Sequence, residues 1–393
     1  MVTEIIKQKA RNIEKEIVAI RHKIHKNPEL AFNETETAKL AASKLANLGL
    51  DVKTGIYGTG VCGLLQTAKK GKTILLRADM DALPIQENTG LEYKSQNPGI
   101  MHACGHDAHT AILIGTAMVL NNLRDKLRGN VKFVFQPAEE KEGGAEGMIN
   151  EGILENPEVD AALGLHVWGT VPKGIVEYKS GPFMASPDRF KTKIIGRGGH
   201  ASQPHNCIDP IPISAHIINS FQNIISRRLD PMESAAISIC HMKAGKTHNV
   251  IPNEVMLEGT VRTLKPEIRN KIPEMMEAIL DKTTSIYGAK YTFEYDYRFP
   301  PLVNDKKLTD LLKSSAEKII GKENLQKAEK PNLGGEDFSY FAREIPSCFF
   351  FLGIAPSADK PVQHHHPNFI VDDEILKQGV AILSQAVIDF LNK

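Results

Sequence analysis

The sequence predicts an α/β protein: a mostly parallel mixed sheet flanked by helices, interrupted by a smaller α+β sandwich of β-α-β-β-α-β order. From residue 36 to about 183, helical and strand patterns alternate, as a largely parallel sheet requires. Near Pro187 the pattern changes to strands in which apolar and polar residues alternate. A chain of 393 residues is also too long for one ordinary core. We therefore expect two domains, the smaller inserted into the larger.

The first element, Met1–Lys26, mixes charged residues with regularly spaced isoleucines and predicts one amphipathic helix. It lacks the apolar segment and the cleavage site of a signal peptide. Four buried strands are then predicted, each followed by acids or histidines: Thr73–Ala78, Val131–Phe135, Val159–Leu165 and Cys348–Gly353. We expect the third of these strands to end at His166.

The inserted domain is predicted from a run of strands and helices at residues 187–297. These elements are Arg189–Gly196, helix Pro212–Arg228, strands Ala235–Ala244 and Glu254–Leu264, helix Pro266–Tyr287 and strand Ala289–Tyr297. Helical patterns return after residue 298 and end in a helix over Asp373–Leu391. The larger domain is then expected at residues 1–186 and 298–393.

Composition excludes several classes of protein. Hydrophobic content is 41% and charged content 24%, and 48 basic residues face 47 acidic ones, for a net charge of +1. No basic stripe indicates nucleic acid, and no apolar run reaches the length of a membrane span. The five cysteines are scattered, and we expect Cys62, Cys240 and Cys348 to be buried. Such cysteine usage favours the cytoplasm.

The segment Met101–Thr110 contains three histidines, Cys104 and an aspartate. Thiolate and imidazole bind zinc and similar divalent ions. Cys104 and His106 flank one glycine, so in an extended loop both could reach one ion. The alternative is a polar loop with ordinary hydrogen-bonding histidines, because no known zinc-finger spacing is present.

A second candidate segment follows the strand Val131–Phe135. Pro137 ends the strand, and Glu139 and Glu140 come directly after it. Chemistry in open α/β sheets gathers beyond the carboxyl ends of strands. One glutamate can bind a metal while the other faces a water molecule, as a metallohydrolase needs. Alone, the pair could be a solvated acidic turn. Together with His166 and the histidines of Gln363–Pro367, it favours a metal site assembled from distant segments.

These segments together resemble the zinc-type amidohydrolase and metallopeptidase family. Its members include aminoacylases, hippurate hydrolase, auxin-conjugate amidohydrolases, N-acetyl-diaminopimelate deacetylase and thermostable carboxypeptidases. The resemblance extends from Arg21–Leu30 to His365–Phe369. Within it, the strand end Arg77–Pro84, the Cys104 loop and the Pro-Ala-Glu-Glu turn occur in the family's order.

The resemblance implies a complete metal site. Its metal ligands would hold two divalent ions per subunit (zinc, manganese, cobalt or nickel) and are Cys104, His106, Glu140, His166 and His365. Glu139 matches the general base, and Asp81 matches the aspartate that orients a ligand. His365 is preferred to its neighbours because the family's ligand lies two residues before the proline. Most of the wider family has a histidine where Asp79 stands, so the role of Asp79 stays open.

The resemblance also assigns roles in the inserted domain, which dimerises in this family. His200 matches a histidine that reaches the partner subunit's site and stabilises the tetrahedral oxyanion. Asn249 and Arg262 match residues that hold the substrate carboxylate, and arginine suits this because its fork meets both oxygens. Arg262 could otherwise be a surface strand residue. We expect a homodimer, with a tetramer as the alternative.

The implied function is a metal-dependent amidohydrolase that cleaves the amide bond of N-acyl amino acids, with carboxypeptidase activity as an addition. The substrate would be a small N-acyl amino acid or short peptide with a free carboxylate. Close alternatives are a metal-dependent dipeptidase or aminopeptidase and an N-acetyl-diaminopimelate deacetylase. Two more distant ones are a metal-stabilised binding protein and a cysteine hydrolase in which Cys104 is the nucleophile, paired with His106 or His109.

Overall fold

A computed structural model describes residues 2–141 and 143–392 of the chain. Within these residues there are ten α-helices: α1 (Val2–Asn12), α2 (Glu14–Lys26), α3 (Thr35–Asn47), α4 (His106–Asn121), α5 (Gly144–Asn150), α6 (Pro210–Asn223), α7 (Pro266–Ile286), α8 (Lys306–Ile320), α9 (Ser339–Glu344) and α10 (Leu376–Leu391). The strands of the same residues are β1 (Asp51–Ile56), β2 (Gly60–Gln66), β3 (Thr73–Asp79), β4 (Asn130–Gln136), β5 (Ala161–Pro172), β6 (Val176–Tyr178), β7 (Gly181–Met184), β8 (Ser186–Ile195), β9 (Gly199–His200), β10 (Ala235–Ala244), β11 (Val250–Ile251), β12 (Glu254–Thr263), β13 (Lys290–Asp296), β14 (Leu302–Asn304), β15 (Leu325–Lys327) and β16 (Ser347–Ala355).

The chain divides into two compact units. The first unit comprises Met1–Gly181, Val303–Lys330 and Asp337–Lys393. The second comprises Pro182–Leu302 and the short segment Pro331–Glu336.

The first unit is built on an eight-stranded sheet with the order β1-β2-β4-β3-β5-β16-β6-β15. Its four central strands, β4, β3, β5 and β16, run parallel. Antiparallel pairs flank them, with β1 and β2 on one side and β6 beside β16 on the other. This arrangement confirms the predicted mostly parallel mixed sheet.

The register of the central strands aligns their polar ends. Asp79 of β3 lies opposite Gln136 of β4, and Arg77 of β3 lies opposite Gly164 of β5. Asp79 is therefore level with His166, two residues beyond Gly164. The prediction that β5 ends at His166 is wrong. The strand continues to Pro172 because β16 pairs with it beyond that point, with a register shift after Gly353.

Helices cover this sheet. Helix α4 is buried along nearly its whole length and contacts β3 as well as helices α2 and α10. The single N-terminal helix predicted over Met1–Lys26 is wrong: two helices form, separated at Ile13, whose backbone leaves helical geometry (φ −96°, ψ 1°). Met1 itself lies outside the described residues. Among the described helices, none combines the length and the apolar character that crossing a membrane would demand.

The second unit contains a four-stranded antiparallel sheet of order β10-β12-β8-β13, on which α6 and α7 pack. The predicted sandwich is thereby confirmed. Helix α6 starts at Pro210, where the Asp209 carboxylate accepts from the backbone NH of Ile211, and a π-helical turn at Ile224–Arg228 follows it. Cys240 is exposed, contrary to expectation. It lies on the edge strand β10, beside an irregularity between Ile239 and His241.

Candidate metal centre

The loop before α4 places Cys104 and His106 on either side of a glycine that cannot be replaced without strain. Gly105 has a φ of 93°, and a Cβ built on it would lie 2.3 Å from Cγ2 of Val167. Only glycine accommodates both the left-handed conformation and this close approach. Cys104 and His106 are consequently held in the interior, 8% and 1% exposed.

Potential metal-binding atoms from four segments of the first unit converge around these two residues. Three of these residue groups share members, and within each group the potential ligand atoms lie within 4.8 Å of one another. Their members are Cys104, His106 and His166; Cys104, Glu140 and His365; and His106, Glu139 and Glu140. The structure thus brings the five residues expected to bind metal together with Glu139, the expected base.

His166 presents an unprotonated nitrogen to the thiol of Cys104. Its Nδ1 donates to the carbonyl oxygen of Val167 at 2.6 Å, and because a carbonyl only accepts, Nδ1 carries the ring proton. Its Nε2 lies 3.4 Å from the Sγ of Cys104. Burial, together with the neighbouring His109 and His364 rings, holds the pKa of His166 well below its usual value. The ring is therefore neutral, as a metal ligand must be.

Asp81 ties two members of the cluster in place. One of its oxygens accepts from Nδ1 of His106 at 3.1 Å, and the other accepts from the backbone NH of Glu140 at 2.9 Å. The carboxylate thereby directs Nε2 of His106 into the cluster, as carboxylates do behind metal-binding histidines. Burial alone would lower the pKa of His106, but the carboxylates of Asp79, Asp81 and Glu140 outweigh it and raise the pKa to about 10. A metal ion binding at Nε2 would therefore displace a proton from this ring.

His365 lies beside Glu140. Its backbone has a φ of 56° and its NH donates to the carbonyl of Ala103 at 2.9 Å. Its Nε2 lies 3.1 Å from Oε1 of Glu140, without hydrogen-bond geometry between the two atoms.

The cluster fits a divalent metal ion. Nε2 of His106 and Oε1 of Glu140 are buried without a hydrogen-bond partner, a costly state for polar atoms in the interior. Burial and the carboxylates of Glu140 and Glu139 raise the pKa of the Cys104 thiol well above its usual value. A cation between these groups would offset their negative charge and satisfy the unpaired atoms. Sulfur, nitrogen and oxygen donors together suit zinc and related ions.

Asp79 and His109 support the cluster through buried hydrogen bonds. His109 donates from Nδ1 to Asp79 at 2.6 Å and accepts from the backbone NH of Val167 at Nε2, 2.9 Å away. Arg77 donates to the other oxygen of Asp79 at 2.7 Å. Although burial opposes ionisation, His106, His109 and Arg77 hold the pKa of Asp79 well below its usual value. Both nitrogens of His109 are engaged, so this ring is not placed to activate the Cys104 thiol.

His364 is a supporting residue that the sequence did not reveal. Its Nε2 accepts from the backbone NH of Gly169 at 2.9 Å, so its Nδ1 carries the proton and points to the Sγ of Cys104, 3.9 Å away. Burial and the adjacent His365 lower the pKa of His364 to about 3. Three consecutive histidines carry no pattern that shows which one turns inward. The inner support by Arg77 and His109 was also missed, because it depends on which side chains meet at Asp79 in the folded chain.

The remaining predicted residues lie in the second unit. His200 in β9 pairs with Val250 in β11, so His200 and Asn249 are close neighbours. Nδ1 of His200 accepts from the backbone NH of Ser202 at 3.1 Å, which leaves the proton on the exposed Nε2. Arg262 lies on β12 opposite Pro187, half-buried, and burial together with Arg189 lowers its pKa.

A buried set of thiol, imidazole and carboxylate groups at the carboxyl ends of parallel strands is typical of metal-dependent hydrolases. Residues 75–389 match the model of a family described as Peptidase family M20/M25/M40. The chain belongs to this family and is a hydrolase that acts on amide or peptide bonds. Its cofactors are divalent metal ions.

Similar proteins cover the chain from end to end. It is 40% identical over 397 residues to thermostable carboxypeptidase 1 of Saccharolobus solfataricus, with 100% of both chains aligned. It is 42% identical over 305 residues to the N-acyl-L-amino acid amidohydrolase of Geobacillus stearothermophilus, covering 77% of this chain and 82% of that one. The solved structure of the Bacillus subtilis YXEP protein, described as a dinuclear metal binding peptidase of the M20 family, superposes with a TM-score of 0.84 at 34% identity, covering 97% and 99% of the two chains.

Proposed function

We propose that this enzyme hydrolyses the amide bond of N-acyl amino acids, and of short peptides that end in a free carboxylate. One observation carries the proposal: the carboxylate of Glu139, a residue that is 8% exposed overall, stands beside the proposed metal ligands His106 and Glu140. A site that only bound metal would need no such group. The names of the similar proteins, an N-acyl-L-amino acid amidohydrolase and a carboxypeptidase, support the choice of substrate.

The proposed ligands are Cys104, His106, Glu140, His166 and His365, which would hold two ions per subunit. Zinc, manganese, cobalt and nickel all accept such mixed donors. When bound, divalent ions lower the pKa of water towards about 7 and polarise a carbonyl oxygen.

Glu139 is the proposed proton carrier. Its carboxylate takes a proton from the attacking water and gives it to the amine that leaves when the amide bond breaks. Asp81 acts through other residues, because its two oxygens hold the ring of His106 and the backbone of Glu140.

The alternatives make different demands. A cysteine hydrolase needs a base for the Cys104 thiol. His109 is engaged at both nitrogens, whereas Nε2 of His166 lies 3.4 Å from the Sγ of Cys104, so chelator treatment has to separate the two routes. Chelator-resistant activity would favour that route.

A dipeptidase or aminopeptidase needs a free substrate amine, so acylating that amine abolishes its activity, whereas the proposed enzyme requires the acyl group. A panel of acyl groups crossed with amino acids, including N-acetyl-diaminopimelate, assigns the preferred substrate.

The decisive variant is Glu139→Gln, which keeps the shape of the side chain and removes the base. We expect metal content, measured by elemental analysis, to equal that of the wild type, while turnover of N-acyl amino acids falls by about 10²–10⁴-fold. Glu146→Gln is the matched control, since Glu146 lies on the neighbouring helix α5 with its side chain 42% exposed. Near-wild-type turnover in Glu139→Gln would place the base elsewhere.

We further propose that the enzyme is a cytoplasmic homodimer completed through the inserted domain at residues 187–297, which belongs to the second unit. In this arrangement His200 donates from Nε2 to the developing oxyanion in the partner's site. Asn249 and Arg262 hold the substrate carboxylate. The hydrogen bond at Nδ1 of His200 supports this role, because Nδ1 accepts from the backbone NH of Ser202 and the ring hydrogen therefore lies on Nε2.

A further inference from the structure

Backbone strain in the first unit is concentrated around one buried carboxylate. Among the described residues, the non-glycine positions with positive φ are Phe32 (64°), Tyr57 (45°), Ala138 (53°), Asn156 (49°) and His365 (56°). Residues with a Cβ rarely adopt this conformation, and it persists only where the surroundings enforce it. Three of the five, Phe32, Tyr57 and Ala138, lie on segments joined by the side chain of Glu34.

Glu34 makes these connections with both carboxylate oxygens. Oε1 accepts from the backbone NH of Ala138 at 2.9 Å, and Oε2 accepts from the hydroxyl of Thr59 at 2.6 Å. Phe32 is two residues before Glu34, and Tyr57 is two residues before Thr59. Glu34 is 0% exposed. One buried side chain thus fixes three turns to one another.

The position of Glu34 in the chain would ordinarily give it another task. It directly precedes helix α3, where a side chain commonly caps the first backbone NH groups. Here Glu29 does so: its two oxygens accept from the backbone NH groups of Glu36 and Thr37, each at 2.9 Å. Because Glu29 caps the helix, the Glu34 carboxylate is available for Ala138.

The turn that Glu34 holds carries the proposed base. Glu34 binds the backbone NH of Ala138, and Asp81 binds the backbone NH of Glu140 at 2.9 Å. Glu139 lies between these two anchors. If Ala138 relaxed to an ordinary negative φ, the direction of the chain through Glu139 would change.

We propose that Glu34 is a positioning residue for Glu139: it holds Ala138 in the left-handed conformation that keeps the Glu139 carboxylate beside His106 and Glu140. This inference rests on the proposed role of Glu139 as the base. The two oxygens of Glu34 bond the backbone of Ala138 and the hydroxyl of Thr59, so its proposed effect on Glu139 passes through the backbone of the turn.

The first test is a pair of substitutions at Glu34, with kcat, KM, metal content and Tm measured for each. Glu34→Ala removes both hydrogen bonds. We expect kcat to fall by roughly 10–100-fold, as for other groups that orient active-site residues, while KM and metal content stay close to wild type. Glu34→Gln should retain most of kcat, because its amide oxygen can accept from Ala138 and its NH₂ can donate to Thr59.

The second test is rescue through the backbone. Ala138→Gly removes the steric penalty of a positive φ. Combined with Glu34→Ala, it should restore part of kcat, and the cycle with both single variants isolates the coupling between the two positions. A merely structural role for Glu34 predicts no such rescue, because Ala138→Gly replaces none of the lost hydrogen bonds.

Asp305→Ala is the control. The Asp305 carboxylate caps α8 by accepting from the backbone NH of Leu308 at 2.8 Å, at the amino end of β16, so its loss should lower Tm but leave kcat of the folded enzyme unchanged. The proposal is overturned if Glu34→Ala keeps wild-type kcat, if its loss of kcat merely follows lost metal or lost Tm as in Asp305→Ala, or if Ala138→Gly gives no rescue. Retained turnover in Glu139→Gln overturns the base assignment and this inference together. An inactive Glu139→Gln with a fully active Glu34→Ala rejects the positioning role alone.

Discussion

At the scale of single residues, hydrogen bonding at one ring nitrogen decides what the other nitrogen of each histidine can do. His106 and His166 each donate from Nδ1 to an oxygen, and this leaves Nε2 facing the cluster for the proposed metal ions. His109 and His364 each accept a backbone NH at Nε2 and therefore support the cluster. Four residues of one type thus divide into two roles.

Cys104 offers the most direct test of the ligand set. Replacing it by serine preserves volume but removes the thiolate, so metal affinity should fall by more than the roughly 10–100-fold typical of losing a group that only orients a ligand. Cys62→Ser is the matched control, because Cys62 is also buried in the first unit, 6% exposed. Metal titration monitored by calorimetry measures both variants. Equal affinities would remove Cys104 from the ligand set.

The sequence predicted the residue types of this cluster but not its inner supports. Cys104, His106 and the two glutamates stand out because ligand-type side chains are adjacent in the chain. Asp79, by contrast, acquires His109 as a partner only through the packing of α4 on β3. The two residues are 30 positions apart, so the hydrogen bond between them leaves no local pattern. Arg77 lies two residues before Asp79 on β3, but only the structure shows that its side chain donates to that carboxylate.

At the scale of elements, the junction between the Cys104 loop and α4 is the most constrained. Gly105→Ala combines the left-handed penalty of roughly 1–2 kcal/mol with a collision against Val167. We expect a lower Tm and reduced metal content. Gly49→Ala isolates the first effect, since Gly49 has a φ of 73° and nothing within 4 Å of an added Cβ. Thermal melts that show equal losses in both variants would refute the proposed constraint at Gly105.

Helix α2 is joined to the start of α4 by a buried charge pair that depends on pH. The Asp107 carboxylate accepts from His25 at 2.8 Å and from Arg21 at 3.0 Å. Burial alone would lower the pKa of His25, but Asp107 and Glu87 overcome it and raise the pKa from 6.5 to about 9.

Because the folded pKa exceeds the unfolded one, this stabilisation is complete below pH 6.5 and is lost as pH rises through about 9. The shift corresponds to a contribution on the order of 3 kcal/mol to the free energy of unfolding. The stability difference between wild type and His25→Gln, from denaturant titrations, should therefore shrink as pH rises from 6 to 10. A difference that stays constant over this range would contradict the assigned protonation.

Elements were predicted well where one pattern dominates and poorly where packing decides. The strands and helices of the second unit start and end within a few residues of their predicted bounds. At Ile13, however, the isoleucine spacing continues while the backbone bends, because α1 and α2 each pack on other helices. The extension of β5 beyond His166 likewise depends on pairing with β16.

At the scale of the whole molecule, the alternation of helical and strand patterns from residue 36 to about 183 was enough to predict a parallel centre. The antiparallel flanks, β1–β2 on one side and β6 on the other, were not predictable, because short strands acquire their partners only in three dimensions. The proposed trans role of His200 belongs to this scale as well.

Mixing two inactive variants tests whether sites are completed by the partner. His200→Ala should lower turnover by on the order of 10²–10³-fold with metal content intact. When it is mixed with Glu139→Gln under conditions of subunit exchange, mixed dimers contain one site with both wild-type residues, so part of the activity should return. Native mass spectrometry of differently tagged subunits verifies exchange. If exchanged mixtures stay inactive, His200 does not act across subunits.

The paired strands β5 and β16 are separated in the chain by the whole of the second unit. The proposed metal ligands are separated in the same way, from Cys104 to His365. A ribosome adding about 5–20 residues per second therefore needs on the order of ten seconds or more between exposing the first ligand and the last. During that interval the nascent chain holds only an incomplete donor set. With the proposed ligands, the complete metal site can therefore form only in chains whose synthesis has passed His365.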